Sequence, residues 1–433
     1  MNIQKVVEKF NSEIMKMDNI RSEFCVSPEK DFTRDRKISF ASVIRSILSF
    51  SGGTLTSELL KINKFAPDLP TSSAFVQQRD KVSPKAFSTL FSMINKEFDQ
   101  DLRYHGYRLM AVDGSQIHVP TNPNDQDSFV NWRENERPHN EFHLNAMYDM
   151  LQKNYTDAIV QKYRTQNEDK ALIEMIEGSP VPDALVICDR GYESYNNMAH
   201  LQTSGWKYII RVKEPGGRGI ADGLQLPECE EFDFPVDLSI TRRKNKETIE
   251  RLKNSNQCRY IPNKVKFDYL SKEYKRGDPT ELFTLNFRIV RIEISEGSYE
   301  MMVTNLPKGD FQKEELKELY SMRWEIETSF LNLKYIVGML GFHSRKSDSV
   351  MQEIYASLIM HNMTQFISNC VQLHAKENKY DYTIRFSVAA TIVKSLFLGD
   401  ISPPNAEILI RRNVSPVRPK RSYSRKPRAK AQI

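Results

Sequence analysis

The run Ala184-Leu-Val-Ile-Cys188, followed at once by Asp189-Arg-Gly-Tyr192 and then by Ser194 to Leu201, decides how this chain folds. Five apolar residues without polar alternation describe a strand buried on both faces. The run stops at an aspartate, and Ser194 to Leu201 reads as a helix. Trp206 to Val212 then repeats the strand pattern. Upstream lie a helix around Asn167 to Glu177 and strand-like runs at His143 to Met150 and Tyr155 to Gln161. Before them, Arg108 to Val112 meets Asp113-Gly114, which reads as a tight turn, and Ser115 to Val119 continues with alternation. Strands and helices in this order predict an α/β fold, a mixed sheet flanked by helices that opens with a hairpin.

The flanks read differently. Residues 1–100 are predicted all-helical. Phe40, Val43, Ile44, Ile47 and Leu48 repeat at helical spacing before Gly52-Gly53, and Ser83-Pro84 starts a helix carrying Phe87, Leu90, Phe91, Ile94 and Phe98. Arg34, Arg36, Lys37 and Arg45 give this part a basic edge suited to DNA, although ordinary helical domains carry such edges too. Residues 101–213 form the first part of the sheet core. Residues 214–309 interrupt it with strand-like runs at Asp237–Arg242, Lys264–Leu270, Leu282–Ile294 and Tyr299–Thr304, read as a β-rich insertion domain. Residues 310–375 resume the core, with a long helical segment from Val350 to Val371, and residues 376–433 are a helical region with a basic tail.

Composition narrows the function. At 433 residues the chain holds more than one ordinary domain. Its five cysteines are scattered without CxxC or Cys/His zinc spacing, which argues against a disulfide framework and a structural zinc site. No run reaches membrane-spanning length and the start is no signal peptide, so a cytoplasmic protein without membrane contact is expected. The net charge is +6, yet residues 411–433 alone hold nine Lys or Arg and no acid, leaving 53 basic against 56 acidic residues elsewhere. With Pro416, Pro419 and Pro427, that tail has the composition of a disordered, phosphate-binding arm.

The second informative stretch is Glu315 to Leu340, ELKELYSMRWEIETSFLNLKYIVGML. At about 100° per residue, Leu319, Met322, Ile326, Phe330, Leu333 and Val337 form one apolar stripe of a helix. Tyr320, Arg323, Glu327 and Lys334 share an arc of about 60°, bordered by Trp324 and Leu331. Such a stripe is either a solvated face or a carboxylate held beside cationic and phenolic donors. Glu325 points about 160° away from Glu327 and is set aside as the working acid.

Asp113, Asp189 and Glu327 are then three acids, two on sheet strands and one on a helix able to pack across the sheet. Each has an ordinary reading, as a hairpin turn, a helix cap or a surface charge. Together they suit in-line displacement at a phosphodiester, which two Mg²⁺ ions about 3.5–4 Å apart assist. No histidine stands out as a metal ligand, and His118, the nearest to Asp113, reads as structural.

The order Asp113-Gly-Ser, Asp189-Arg-Gly-Tyr, then Tyr320-x2-Arg323-x3-Glu327-x6-Lys334, with MRWEIE and VTNLP nearby, resembles the DDE transposases of bacterial insertion sequences. The likeness is to the IS-four type, marked by a Tyr-Arg-Glu-Lys motif. It implies a ribonuclease-H-like core split by a β-rich insertion before the glutamate. Asp113, Asp189 and Glu327 would hold two Mg²⁺, with Mn²⁺ able to substitute, and Tyr320, Arg323 and Lys334 would grip phosphates. The implied reaction is cut-and-paste movement through a DNA hairpin, by a homodimer that joins double-stranded terminal inverted repeats to target DNA. Trp324, or an insertion aromatic such as Tyr299, would hold a flipped base, although Trp324 also reads as plain packing. The alternatives are a silent DNA-binding derivative and a ribonuclease-H-like nuclease.

Overall fold

The structure is a computed structural model that describes residues 1–34, 36–131, 137–275, 278–373 and 381–417. Five helices come first: α1 (Ile3–Asn19), α2 (Phe40–Ser49), α3 (Leu55–Ile62), α4 (Ser72–Arg79) and α5 (Lys85–Phe98). The Ser39 hydroxyl caps α2 by accepting from the Ser42 amide, and all five apolar residues expected along α2 are buried. Those of α5 are buried as well.

The core follows as β1 (Arg108–Val119), β2 (Phe129–Val130), β3 (His139–Asp149), β4 (Asn154–Lys162), α6 (Glu168–Gly178), β5 (Ala184–Cys188), α7 (Tyr195–Thr203) and β6 (Lys207–Val212). β3 runs antiparallel to both β1 and β4, while β5 lies parallel to β1 and to β6. The strand order β4-β3-β1-β5-β6 is the ribonuclease-H-like arrangement expected. All five residues of β5 are fully buried, which is why that run carries no polar alternation.

The Asp113-Gly114 turn is not there. β1 pairs with β3 without a break from Met110↔Asp149 to Val119↔Asn140, so Asp113 sits in mid-strand. The polar run Asp113-Gly-Ser marks the point where β5 stops pairing, at Val112↔Cys188, and the strand loses one neighbour. Gly114 serves a close approach instead of a turn. A Cβ there would lie 2.4 Å from His143 Nε2 and 2.5 Å from Glu168 Oε1.

Residues 214–309 contribute β7 (Phe232–Thr241), α8 (Lys246–Arg251), β8 (Cys258–Tyr260), β9 (Phe283–Ser295) and β10 (Ser298–Thr304). Their strands continue the core sheet: β10 pairs with β6, and β9, β7 and β8 extend it outward. Lys264–Leu270 is not a strand. The buried Arg242 guanidinium donates to the carbonyls of Pro262, Val265, Phe267 and Leu270, so that segment satisfies its acceptors without a ladder.

The last elements are α9 (Lys313–Met322), α10 (Trp324–Asn332), α11 (Ser347–Asn369), β11 (Tyr382–Ile384), α12 (Phe386–Phe397), α13 (Pro403–Arg412) and β12 (Val414–Pro416). The single helix expected over Glu315–Leu340 is divided. Tight bonds from Arg323 N to Tyr320 O and from Ile326 N to Arg323 O separate α9 from α10, and a π turn over Leu333–Val337 precedes Gly338 at φ 98°. The start of the basic tail also differs from expectation. Arg411 and Arg412 end α13 and Val414–Pro416 pairs with β11, while residues 418–433 lie outside the described residues. One apolar core joins the N-terminal helices and α11 to one face of the sheet, including Leu109, Ala111, Leu185 and Ile187. A second core under α6 and α7 takes the other face, including Met110, Val112, Val186 and Cys188.

Candidate active site

The parallel register of β1 and β5 positions the first two acids. Pairing ends at Val112↔Cys188, and the next residue on each strand is an acid, Asp113 and Asp189. They stand side by side where the parallel pairing stops, Asp189 at the carboxyl end of β5 and Asp113 midway along β1, and the carboxyl end of a parallel strand is where α/β sheets place ligands. Odd-numbered β1 residues face α10, so Asp113 points toward that helix, and α10 brings Glu327. Arg323, 6 % exposed at the α9–α10 junction, links them: its guanidinium lies 2.9 Å from Glu327 Oε1 and 4.0 Å from Asp113 Oδ2.

The electrostatics reflect this crowding. Burial raises the Asp113 carboxyl to about 6; the Gly114 amide pulls it down, Asp189 pushes it up, Arg323 opposes and Glu327 adds. Asp113 Oδ1 accepts from the Gly114 amide at 2.8 Å, and Asp189 Oδ1 from that of Gly191 at 2.7 Å. Asp189 thus performs the ordinary capping duty as well, on the short turn Arg190–Tyr192. For Arg323, burial works against the charge, but Tyr320, Glu327 and Asp113 outweigh it and its pKa rises.

The donors around the acids are placed individually. Tyr320 is buried and its ring lies 5.6 Å from the Arg323 guanidinium carbon. Among the described residues, its hydroxyl and Arg323 Nε are both buried without a hydrogen-bond partner. Burial raises the Tyr320 pKa, and Arg323 and Arg211 counter it. Lys334, in the π turn, donates 2.7 Å to the carbonyl of Gln116 three residues beyond Asp113, and burial lowers its pKa. Trp324 is 56 % exposed, with the Arg323 guanidinium 5.8 Å from its ring. Tyr299 is occupied elsewhere, its hydroxyl on Glu230 and its ring under Arg291. Glu325 pairs with Lys153 at 3.8 Å in a cleft that Tyr148 and Trp324 also line.

Two further groups escaped the sequence reading. Glu168, at the start of α6, reaches over Gly114 and pairs with His143 of β3 at 2.9 Å. It adds a fourth carboxylate behind the first three, and the buried Tyr192 hydroxyl, raised mainly by burial, also feels Glu168, Asp113 and Asp189. The second group is His118, His139 and Glu141, in the outer half of the β1–β3 ladder. Both depend on cross-strand register, which has no local signature. The basic edge of the N-terminal helices is partly neutralised, since Lys37 pairs with Asp68 at 2.6 Å and Arg45 bonds Asn11.

A mixed sheet in the order β4-β3-β1-β5-β6, with helices on both faces, is a ribonuclease-H-like type of fold. Residues 104–363 match the family described as Transposase DDE domain, and the chain belongs to that family. The chain is 25% identical over 264 residues to a putative transposase InsL for insertion sequence element IS186A from Escherichia coli strain K12, across 59% of this chain and 64% of that protein. The same figures hold for the transposase for insertion sequence element IS421 from Escherichia coli. The matched region therefore spans a little under two thirds of these relatives. The resemblance to the DDE transposases of bacterial insertion sequences is borne out. Among solved structures, a piggyBac transposase synaptic complex with hairpin DNA aligns at a TM-score of 0.45 and 10% identity, covering 92% of this chain and 81% of that one. No helix among the described residues is long and apolar enough to cross a membrane.

Proposed function

We propose that this chain is a transposase that cuts and rejoins double-stranded DNA at the ends of its own insertion sequence, with Asp113, Asp189 and Glu327 as the divalent-metal ligands. The observation that carries the reading is the side-by-side placement of Asp113 and Asp189 with Arg323 tying Glu327 to them. The residues suit such ions: burial first, then two neighbouring carboxylates, raise the Asp113 acid to about 6, a penalty on its charge that bound cations relieve. When bound, a Mg²⁺ pair activates the attacking oxygen and stabilises the leaving oxygen, and Mn²⁺ substitutes.

The chain's own residues orient the strand. Arg323, whose Nε is unpartnered, and Tyr320, whose hydroxyl is unpartnered, offer two buried donors to a phosphate. Lys334 adds a cation on the β1 side. Trp324 presents an exposed ring beside Arg323, suited to stack on a base flipped out during hairpin formation. The resemblance suggests a homodimer holding both ends, with the basic tail adding sequence-independent affinity.

The test uses a DNA fragment carrying the element's inverted repeats. Asp113→Ala, Asp189→Ala and Glu327→Ala should each abolish Mg²⁺-dependent cutting while end binding persists. Normal cutting by Glu327→Ala would remove the assignment, and cutting without strand transfer would make the protein a nuclease.

A further inference from the structure

His118 is the last residue but one of β1 and His139 is the first of β3, so both lie at the outer end of the β1–β3 ladder. They meet with rings stacked, centroids 4.4 Å apart and planes 9° from parallel. Glu141 is the cross-strand partner of His118 and lies on the same face. Its side chain is fully buried, and among the described residues neither carboxylate oxygen has a hydrogen-bond partner. A buried carboxylate left unsatisfied is strongly disfavoured unless a cation compensates it.

Among the described residues, two imidazoles lie beside it as cationic candidates. His118 Nε2 lies 3.6 Å and His139 Nε2 3.7 Å from Glu141 Oε2. Both separations exceed the roughly 3.2 Å limit of an N–H···O bond. His139 Nδ1 lies 3.1 Å from the Arg137 carbonyl. A carbonyl only accepts, so Nδ1 carries the proton, and in the neutral ring the lone pair of Nε2 is turned to the carboxylate. A lone pair facing a carboxylate is repulsive without a positive charge between them. His139 Nε2 is itself buried without a partner.

A metal ion resolves all three observations. Two ligands bound at about 2.0–2.1 Å to a tetrahedral centre stand roughly 3.3–3.5 Å apart. The three ligand atoms here lie within 4.8 Å of one another. The Arg137 carbonyl is the outer hydrogen bond that metal-ligating histidines usually make. Two imidazole nitrogens and one carboxylate favour a borderline first-row ion over Mg²⁺, which prefers oxygen ligands.

We infer that His118, His139 and Glu141 form a transition-metal site of the Zn²⁺ class, separate from the three catalytic-type acids. It sits five residues along β1 from Asp113, about 17 Å of strand, and on the opposite face of the sheet. The ion clips the outer end of β1 to the start of β3. Three protein ligands leave a coordination position for water.

The experiment uses the full chain, stripped with a chelator and held in excess Mg²⁺ to fill the oxygen-ligand sites. Co²⁺ titration should give one equivalent per chain, with the visible ligand-field bands of a low-symmetry nitrogen–oxygen site, and Zn²⁺ should displace it. His118→Asn and Glu141→Gln should each weaken Co²⁺ binding by roughly a hundredfold or more. The triple variant Asp113→Asn, Asp189→Asn, Glu327→Gln should retain the equivalent, which separates this site from the proposed reaction centre. His118 is 48 % exposed on its side chain, so its replacement reports even where Glu141→Gln fails to fold. Co²⁺ binding unchanged in His118→Asn, lost in the triple variant, or absent from the wild-type chain would overturn the site and leave only an imidazole–carboxylate cluster.

Discussion

Asp113 shows how a reactive group is kept at a cost to stability. Its acid is raised to about 6 against 3.8 for an ordinary aspartate, so the fold disfavours the ionised form. The sign follows from linkage. The penalty is full above pH 6, fades as pH falls from 6 toward 3.8, and is absent below. About two pH units correspond to at most about 3 kcal/mol. Asp113→Asn should therefore raise the melting temperature of the metal-free protein at pH 7.5, and the advantage over wild type should shrink by pH 5. Equal melting temperatures at pH 7.5 would mean that the fold does not disfavour the ionised Asp113. The same ionisation should govern loading with divalent ions, because a proton competes for the oxygen that would bind the cation. The Mg²⁺ concentration for half-maximal cleavage should climb about tenfold per pH unit below 6. A flat dependence down to pH 5 would exclude Asp113 as a ligand.

At the scale of elements, β1 concentrates the consequences. Gly114 lies where β1 passes His143 and Glu168, and a methyl group there would sit within 2.5 Å of both side-chain tips. Glu168 can swing away, but His143 is buried in the ladder and cannot. Gly114→Ala should thus cost about 1–3 kcal/mol and displace Asp113, lowering cleavage more than end binding; urea titration and a cleavage assay measure the two. This strand also shows what a local reading can reach. Val112 and Cys188 announced buried strands through unbroken apolar runs, and Leu319, Ile326, Phe330 and Leu333 announced a packed helix through their spacing. Asp113-Gly114 was misread because its polarity comes from losing β5 as a neighbour, a fact of the sheet and not of the dipeptide. Lys264–Leu270 was misread because its carbonyls are satisfied by Arg242, more than 20 residues upstream. The pairs His143–Glu168 and His118–Glu141 were invisible for the same reason: only strand register and packing bring them together.

For the molecule as a whole, the question is how the N-terminal helices hold the reaction centre. They share one apolar core with α11 and the sheet, so the helical part is not a bead on a linker. The polar fastening is Arg79, 1 % exposed, at the end of α4. Its guanidinium pairs with Glu353 at 2.7 Å, and it donates to Gln352 Oε1 at 2.9 Å and to the Ser349 carbonyl at 2.6 Å, all on α11. Gln352 returns a bond to the Val82 carbonyl, and Glu353 accepts from the amide of His343. Removing the arginine strands a buried carboxylate, an error that typically costs about 3–5 kcal/mol. Replacing both partners with apolar groups leaves no orphan charge and should cost much less. Arg79→Met should therefore lower stability sharply, Arg79→Met with Glu353→Leu should recover most of it, and a double-mutant cycle in urea measures the coupling. Because α11 packs against both α5 and β4, the single variant should also lose cleavage at temperatures where the double variant still cuts. Additive losses in the cycle would show that Arg79 and Glu353 are not coupled.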